Sequence, residues 1–157
     1  MTRIRSFAAA ALTVAALVVP AASPVSAAAA VPSLTIDSAT NTVRPGVGSQ
    51  LDVAVTYACA PGSAEGVAVM RARQDKGADG HSTSGYNRRT TSVVCDNTPH
   101  TATMRVDGYY QDSFQNSWVS GNEVRVTVRL AKPRDPNDTV APFGDALLTE
   151  EKTLTVG

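Results

Sequence analysis

The amino-acid sequence predicts an all-β fold, an antiparallel β-sandwich of about seven strands, occupying residues 33–157 as a single domain. Three observations predict it. Two segments, 50–59 and 123–131, alternate strictly between apolar and polar residues. Pro and Gly punctuate the chain between short apolar runs. No segment after the first 27 residues keeps the 3.6-residue period of an amphipathic helix.

Taken in order, residues 33–37 read as a short opening strand. In 50–59, Leu51, Val53, Val55, Tyr57 and Cys59 point one way, and Asp52, Ala54, Thr56 and Ala58 the other. That is the period of a strand with one buried face. Residues 67–74 read as a third strand, with Val67 and Val69 apolar. A Gly-rich turn at 75–81 is followed by a fourth strand at 88–95. Residues 100–106 place Ala102, Met104 and Val106 on one face. In 123–131 the clean alternation returns, with Val124, Val126, Val128 and Leu130 inward and Arg125, Thr127 and Arg129 outward. Residues 148–156 close the chain. Turn residues stand between the runs at Pro45-Gly46, Pro61-Gly62, Pro99 and Gly121, where fixed or positive φ is needed. Short strands so punctuated point to a sandwich of immunoglobulin or fibronectin-III type.

The first 27 residues have a different character. Arg3 and Arg5 form a basic start, 7–19 is an unbroken apolar run, and Val25-Ser26-Ala27 supplies the small residues a signal peptidase accepts. Residues 1–27 therefore read as a signal peptide, and 28–32 as a flexible N-terminal arm. The arginines are not adjacent, so the general secretory route fits better than the twin-arginine one. The expected product is secreted, extracellular and free of the membrane after cleavage. Of the 14 basic and 14 acidic residues, two arginines leave with the signal, giving a net charge of −2. A chain so nearly neutral lacks the basic balance that nucleic acid or an anionic membrane demands. Cys59 and Cys95 are the only cysteines. An even pair in an exported chain reads as a disulfide, with Cα atoms expected about 5–6 Å apart.

Two stretches break the strand pattern, 109–121 (YYQDSFQNSWVSG) and 132–146 (KPRDPNDTVAPFGDA). In the first, Tyr109, Tyr110, Phe114 and Trp118 are four of the seven aromatics left after the signal, interleaved with Gln and Asn. Such rings suit stacking on sugars or contact with a protein; they would equally serve to cap the open end of the sandwich. On the second stretch, Asp135, Asp138 and Asp145 offer oxygens of the kind calcium uses, but their spacing fits no dedicated calcium loop, and a solvated loop is the better reading. Asn137-Asp138-Thr139 is a glycosylation sequon. Asp75, Asp79 and His81 share the Gly-rich turn and read as solvated turn residues. His100 has no partner that sequence assigns. No serine lies in a Gly-x-Ser-x-Gly elbow, and no cysteine is left over as a nucleophile. An enzyme is therefore not expected, and no metal or cofactor is implied.

From Tyr57-Ala-Cys59 through Val93-Val-Cys-Asp-Asn-Thr-Pro-His100 to the valine-alternating strand, residues 50–130 resemble a family of small secreted actinobacterial proteins, each a signal peptide and one immunoglobulin-like domain. The resemblance implies the sandwich and the disulfide, and brings no activity or binding residue with it. The opening Val31-Pro-Ser-Leu-Thr-Ile36 is similar to the enediyne-carrying apoproteins of the neocarzinostatin type; those carry two disulfides, and this chain has one pair of cysteines. The function expected is a non-catalytic secreted binding or interaction module, its partner a protein or a cell-surface glycan met through loops at one end of the sandwich. The alternative is a small-molecule carrier apoprotein with an apolar cleft.

Cleavage is expected after Ala27. N-terminal sequencing of the protein recovered from culture fluid should begin at or within a few residues of Ala28; a product beginning at Met1 would overturn the export reading.

Overall fold

A computed structural model of the chain describes residues 31–44, 48–76, 82–87, 90–108, 118–135 and 144–157. Eight strands are found there: β1 (Ser33–Arg44), β2 (Gly48–Ala58), β3 (Gly66–Gln74), β4 (Thr83–Gly85), β5 (Thr91–Ser92), β6 (His100–Asp107), β7 (Glu123–Ala131) and β8 (Ala146–Thr155). They form two antiparallel sheets packed face to face. One has the order β1-β2-β6; the other has β4-β3-β7-β8, with β5 also paired to β3.

The two cleanest alternations become the centres of the two sheets. In β2, Leu51, Val53, Val55 and Tyr57 are buried; in β7, Val124, Val126, Val128 and Leu130 are fully buried. Each side chain of this size contributes about 1.5–3 kcal/mol on burial. Met104 and Val106 of β6, Ile36 of β1 and Val67 and Val69 of β3 complete the core.

Two strands change face partway. In β1 the register shifts between Ile36 and Ser38, so Leu34 and Ile36 face the core before the irregularity and Ala39 faces it after. The opening strand is therefore twice as long as its unbroken apolar alternation indicates. In β3 the shift lies between Val69 and Arg71, and the buried positions pass from Val67 and Val69 to Ala72 and Gln74. The fourth expected strand, 88–95, is reduced to β5, and the unforeseen β4 precedes it on the same side of β3. The Asn87 amide bonds the Val69 carbonyl between these two short ladders. A bulged strand explains both fragments better than a continuous one.

The exposed edge of β8 is guarded by an inward charge, a device that discourages edge-to-edge pairing. Lys152 Nζ reaches across the sandwich to the Ile36 carbonyl at 2.8 Å. The Gly157 amide donates to Ala39 O, and the Asn41 amide donates to Gly157 O, both at 2.9 Å. The chain end thereby ties the second sheet to β1 of the first.

At the end of the sandwich holding the β1–β2 turn, Trp118 is 1% exposed. Its indole Nε1 donates to Val106 O at 3.3 Å, and its own carbonyl accepts from Asn41 Nδ2 at 2.8 Å. Next to it, the fully buried Gln74 amide exchanges two hydrogen bonds with the backbone of Val119. Trp118 was expected to add to a contact surface; it is a core plug instead, because its large ring and its polar atoms are all satisfied inside the sandwich.

The opposite end carries the disulfide Cys59–Cys95, with Cα atoms 4.7 Å apart, somewhat closer than expected. It spans a sequence separation of 36, for which the chain-entropy model gives about 4 kcal/mol. Beside it, Asp96 Oδ1 accepts from the Thr98 amide at 3.0 Å and from the Thr98 hydroxyl at 2.6 Å, and lies 2.8 Å from His100 Nε2. Asn97 between them has φ 68°, a left-handed value that Asn tolerates. The Thr98 hydroxyl foremost, then His100 and the Thr98 amide, hold the Asp96 carboxyl down from 3.8 to about 2.

Two outcomes follow from this packing. Trp118→Ala should cost about 3–5 kcal/mol of stability in denaturant titration, whereas an unchanged midpoint would show that the ring is not core. Because the folded Asp96 carboxyl ionises more readily than the unfolded one, its stabilisation is complete above pH 3.8 and disappears as pH falls through about 2. Asp96→Asn should therefore lower the melting temperature at neutral pH, and the gap to wild type should close towards pH 2; a gap constant with pH would refute the assignment.

Candidate functional site

The structure separates the two segments singled out as loops. Their described parts next to β7, residues 118–121 and 132–135, lie at its two ends and so at opposite ends of the sandwich. Tyr109, Tyr110 and Phe114 lie outside the described residues, as do Asp138, Asp79, His81 and the sequon. Trp118 lies in the core. Asp135 and Asp145 are exposed near the base of the second loop, where the Lys132 amide bonds Asp145 O at 2.8 Å. Gly144 fits that base because a Cβ there would stand 2.1 Å from Lys132 O. Among the described residues, no three His, Cys, Asp or Glu side chains gather to hold a metal ion.

The disulfide end is held together by more than its sulfurs. The Asn97 amide donates to Cys59 O at 3.0 Å, and the Arg134 amide donates to the Glu65 carboxylate at 2.9 Å. These bonds join the β2–β3 connection to both neighbouring loops. His100, on the first residue of β6, meets Asp96 and Thr98 through one ring nitrogen, Nε2, at 2.8 and 3.2 Å. A hydroxyl-activating triad instead needs the carboxylate on the nitrogen remote from the hydroxyl. This cluster is an Asx turn closed by a histidine.

The most chemically distinctive surface is one the loops do not supply. The outer face of the β3-β7-β8 sheet holds a groove of about 380 Å³ lined by Arg71, Arg73, Asp75, Arg125, Thr127 and Glu151. Its geometry follows from register. Arg73 is paired directly with Arg125, which in turn faces Thr153; the next row is Arg71, Thr127 and Glu151. Like charges directly opposed on a ladder destabilise a sheet.

Neutralisation within the groove is partial. Asp75 Oδ1 takes Arg73 Nε at 2.8 Å, and both are exposed. Glu151 stands 4.0 Å from Arg125 Nε, beyond hydrogen-bond range, and instead accepts the Thr127 hydroxyl at 3.2 Å. Arg71 has no acidic partner among the described residues. Further along β7, Arg129 lies between Ala68 and Thr149, with its Nε buried and unpartnered among the described residues.

Sequence reasoning placed Arg125 and Arg129 on the outer face but missed Arg71 and Arg73. A signal existed. In unbroken alternation, Arg71 and Arg73 share the face of Val67 and Val69 and would be buried as bare charges, at a cost of several kcal/mol each. Only a bulge inside β3 avoids this, and the structure has it at Met70.

The space between the sheets, the place for a carrier's apolar cleft, is filled by Trp118, Ile36, Leu51, Met104, Leu130 and the core valines. Compared with family models, with curated proteins and with solved structures, the chain matches none of them.

Proposed function

We propose that this chain is an exported, non-catalytic binding module of immunoglobulin-like type, and that it meets its partner through the outer face of the five-stranded sheet. The observation that carries this reading is the directly opposed pair Arg73 and Arg125 beside Arg71. A sheet face selected for stability alone would place Thr or an acid opposite an arginine. Arginine is also among the residue types most enriched where binding energy concentrates.

Three further features support the reading. The Cys59–Cys95 bond suits an oxidising compartment such as the cell exterior, in keeping with the signal-like first 27 residues. With the short β4 and β5 set aside, the grouping of β1, β2 and β6 apart from β3, β7 and β8 is like that of strands A, B and E apart from C, F and G in immunoglobulin domains, while β4 and β5 pair with β3 rather than joining β6. The filled inter-sheet space favours a surface-binding module over a carrier. The partner class is a protein or a cell-surface glycan.

The test is retention of components from culture fluid and cell-wall extract on the immobilised mature protein. Replacing Arg71, Arg73 and Arg125 together by Ser should reduce retention at least about tenfold with the melting temperature held, because all three side chains are exposed. Replacing Tyr109, Tyr110 and Phe114 by Ser should leave retention intact. The reverse pattern would move the contact surface to the loop, and retention of nothing by the wild-type protein would overturn the module reading.

A further inference from the structure

Resting on the assignment of that face as the contact surface, the geometry points to its ligand: we infer that the Arg71–Arg73–Arg125 groove is an oxyanion site for an acidic sugar, a residue bearing one carboxylate or phosphate among several hydroxyls.

The register brings the three arginines to one groove. Directly opposed residues have Cβ atoms about 4.5–5.5 Å apart, so Arg73 and Arg125 rise side by side from the sheet. Arg71 is two residues along β3, roughly 7 Å away. Three forks of N–H donors thus surround one groove, and a planar or tetrahedral oxyanion is the group such forks match in pairs. Lysines would give a point charge without that geometry.

The charge balance leaves room for one anion. Among the described residues, three guanidiniums face two carboxylates. Asp75 occupies one edge of Arg73, Glu151 pairs with Arg125 only at 4.0 Å, and Arg71 stands without an acid among the described residues. An arriving oxyanion relieves the repulsion between the opposed Arg73 and Arg125.

The same two carboxylates decide between kinds of anionic ligand. An acidic peptide brings several carboxylates and would meet repulsion from Asp75 and Glu151 at the rim. A sugar acid brings one charge and a set of hydroxyls, and those hydroxyls are donors that Asp75 and Glu151 accept. Thr127 in the groove and Thr153 beside it add hydroxyl partners. The volume of about 380 Å³ is at the small end of ligand sites and suits one or two sugar units. Among the described residues the groove lining is entirely polar or charged, so the recognition these residues supply runs through charge and hydrogen bonding.

The test is titration of the mature protein, followed by amide chemical shifts in NMR, with methyl galacturonoside, glucose 6-phosphate, neutral methyl galactoside and polyglutamate as separate probes. Methyl galacturonoside or glucose 6-phosphate should shift amides of β3, β7 and β8, and whichever binds tighter identifies carboxylate or phosphate as the source of the oxyanion. The affinity should fall as salt rises. Arg125→Gln should weaken binding about tenfold or more while leaving the melting temperature equal or higher, since it removes one of two opposed charges. Arg105→Gln on the other sheet, where Arg105 is bound to Asp52, should leave binding unchanged. The inference is overturned if methyl galactoside binds as well as methyl galacturonoside, if polyglutamate binds more tightly than either acidic sugar, if Arg125→Gln binds as wild type, or if no probe shifts these amides. Should no acidic sugar bind while partner retention still depends on the three arginines, the oxyanion inference fails and the module reading stands; retention indifferent to the arginines removes both.

Discussion

The two-residue period of β7 couples the core of this protein to its outer surface. Val124, Val126, Val128 and Leu130 must face inward, because they fill the middle of the space between the sheets. Strand geometry then leaves no choice for Arg125, Thr127 and Arg129, which must face out. A one-residue slip would bury two arginines and expose four apolar side chains. The register of β7 against β3 and β8 is therefore strongly fixed, and with it the position of every residue around the outer groove. The core and the candidate site are two readings of the same strand.

Against that fixed strand, the irregularity in β3 acquires its meaning. Val67 and Val69 pack inward, and without the shift after Val69 the next inward residues would be Arg71 and Arg73. The extra residue, Met70, turns both arginines to the face that Arg125 already occupies and gives their inward places to Ala72 and Gln74. Gln74 is fully buried, yet it costs little there, because its amide completes the backbone of Val119. One bulge thus does two things: it assembles three arginines outside, and inside it supplies the polar group that holds the tryptophan plug in place.

How much of this was legible in the sequence depended on whether alternation ran unbroken. The inward faces of β2 and β7 and the polar partners between them were readable, since nothing interrupts their period. So was the pairing of Cys59 with Cys95, given only two cysteines in the chain. Residues beyond Asp37 in β1 were not, because the shift between Ile36 and Ser38 breaks the parity that a sequence pattern follows. The fourth strand was drawn as one run, whereas β4 and β5 form two short ladders on β3, each too brief to leave a periodic trace. Arg71 and Arg73 were hidden for the same reason, although two charges sharing the parity of two valines were themselves the mark of a bulge. Trp118 was misplaced by its neighbourhood: it stands among polar residues, and only the three-dimensional closeness of Val106 and Asn41 shows that its ring and its carbonyl are satisfied inside.

The disposition of rigidity supports the proposal that a sheet face serves as the contact surface. One end of the sandwich is closed by Trp118 and Gln74, and the other is cross-linked by the disulfide and by the Glu65–Arg134 bond. Both ends are thus committed to holding the two sheets together. The edge of β8 is likewise committed, through Lys152 and the hydrogen bonds of Gly157 to β1. On the outer face of the larger sheet, long side chains stand on a backbone that these ties keep from shifting. Arginines on such a platform lose only side-chain freedom when they engage a ligand, since the strands beneath them are already ordered. The repulsion between Arg73 and Arg125 is tolerable on that footing, because the four fully buried side chains of β7 supply far more stability than one opposed pair removes.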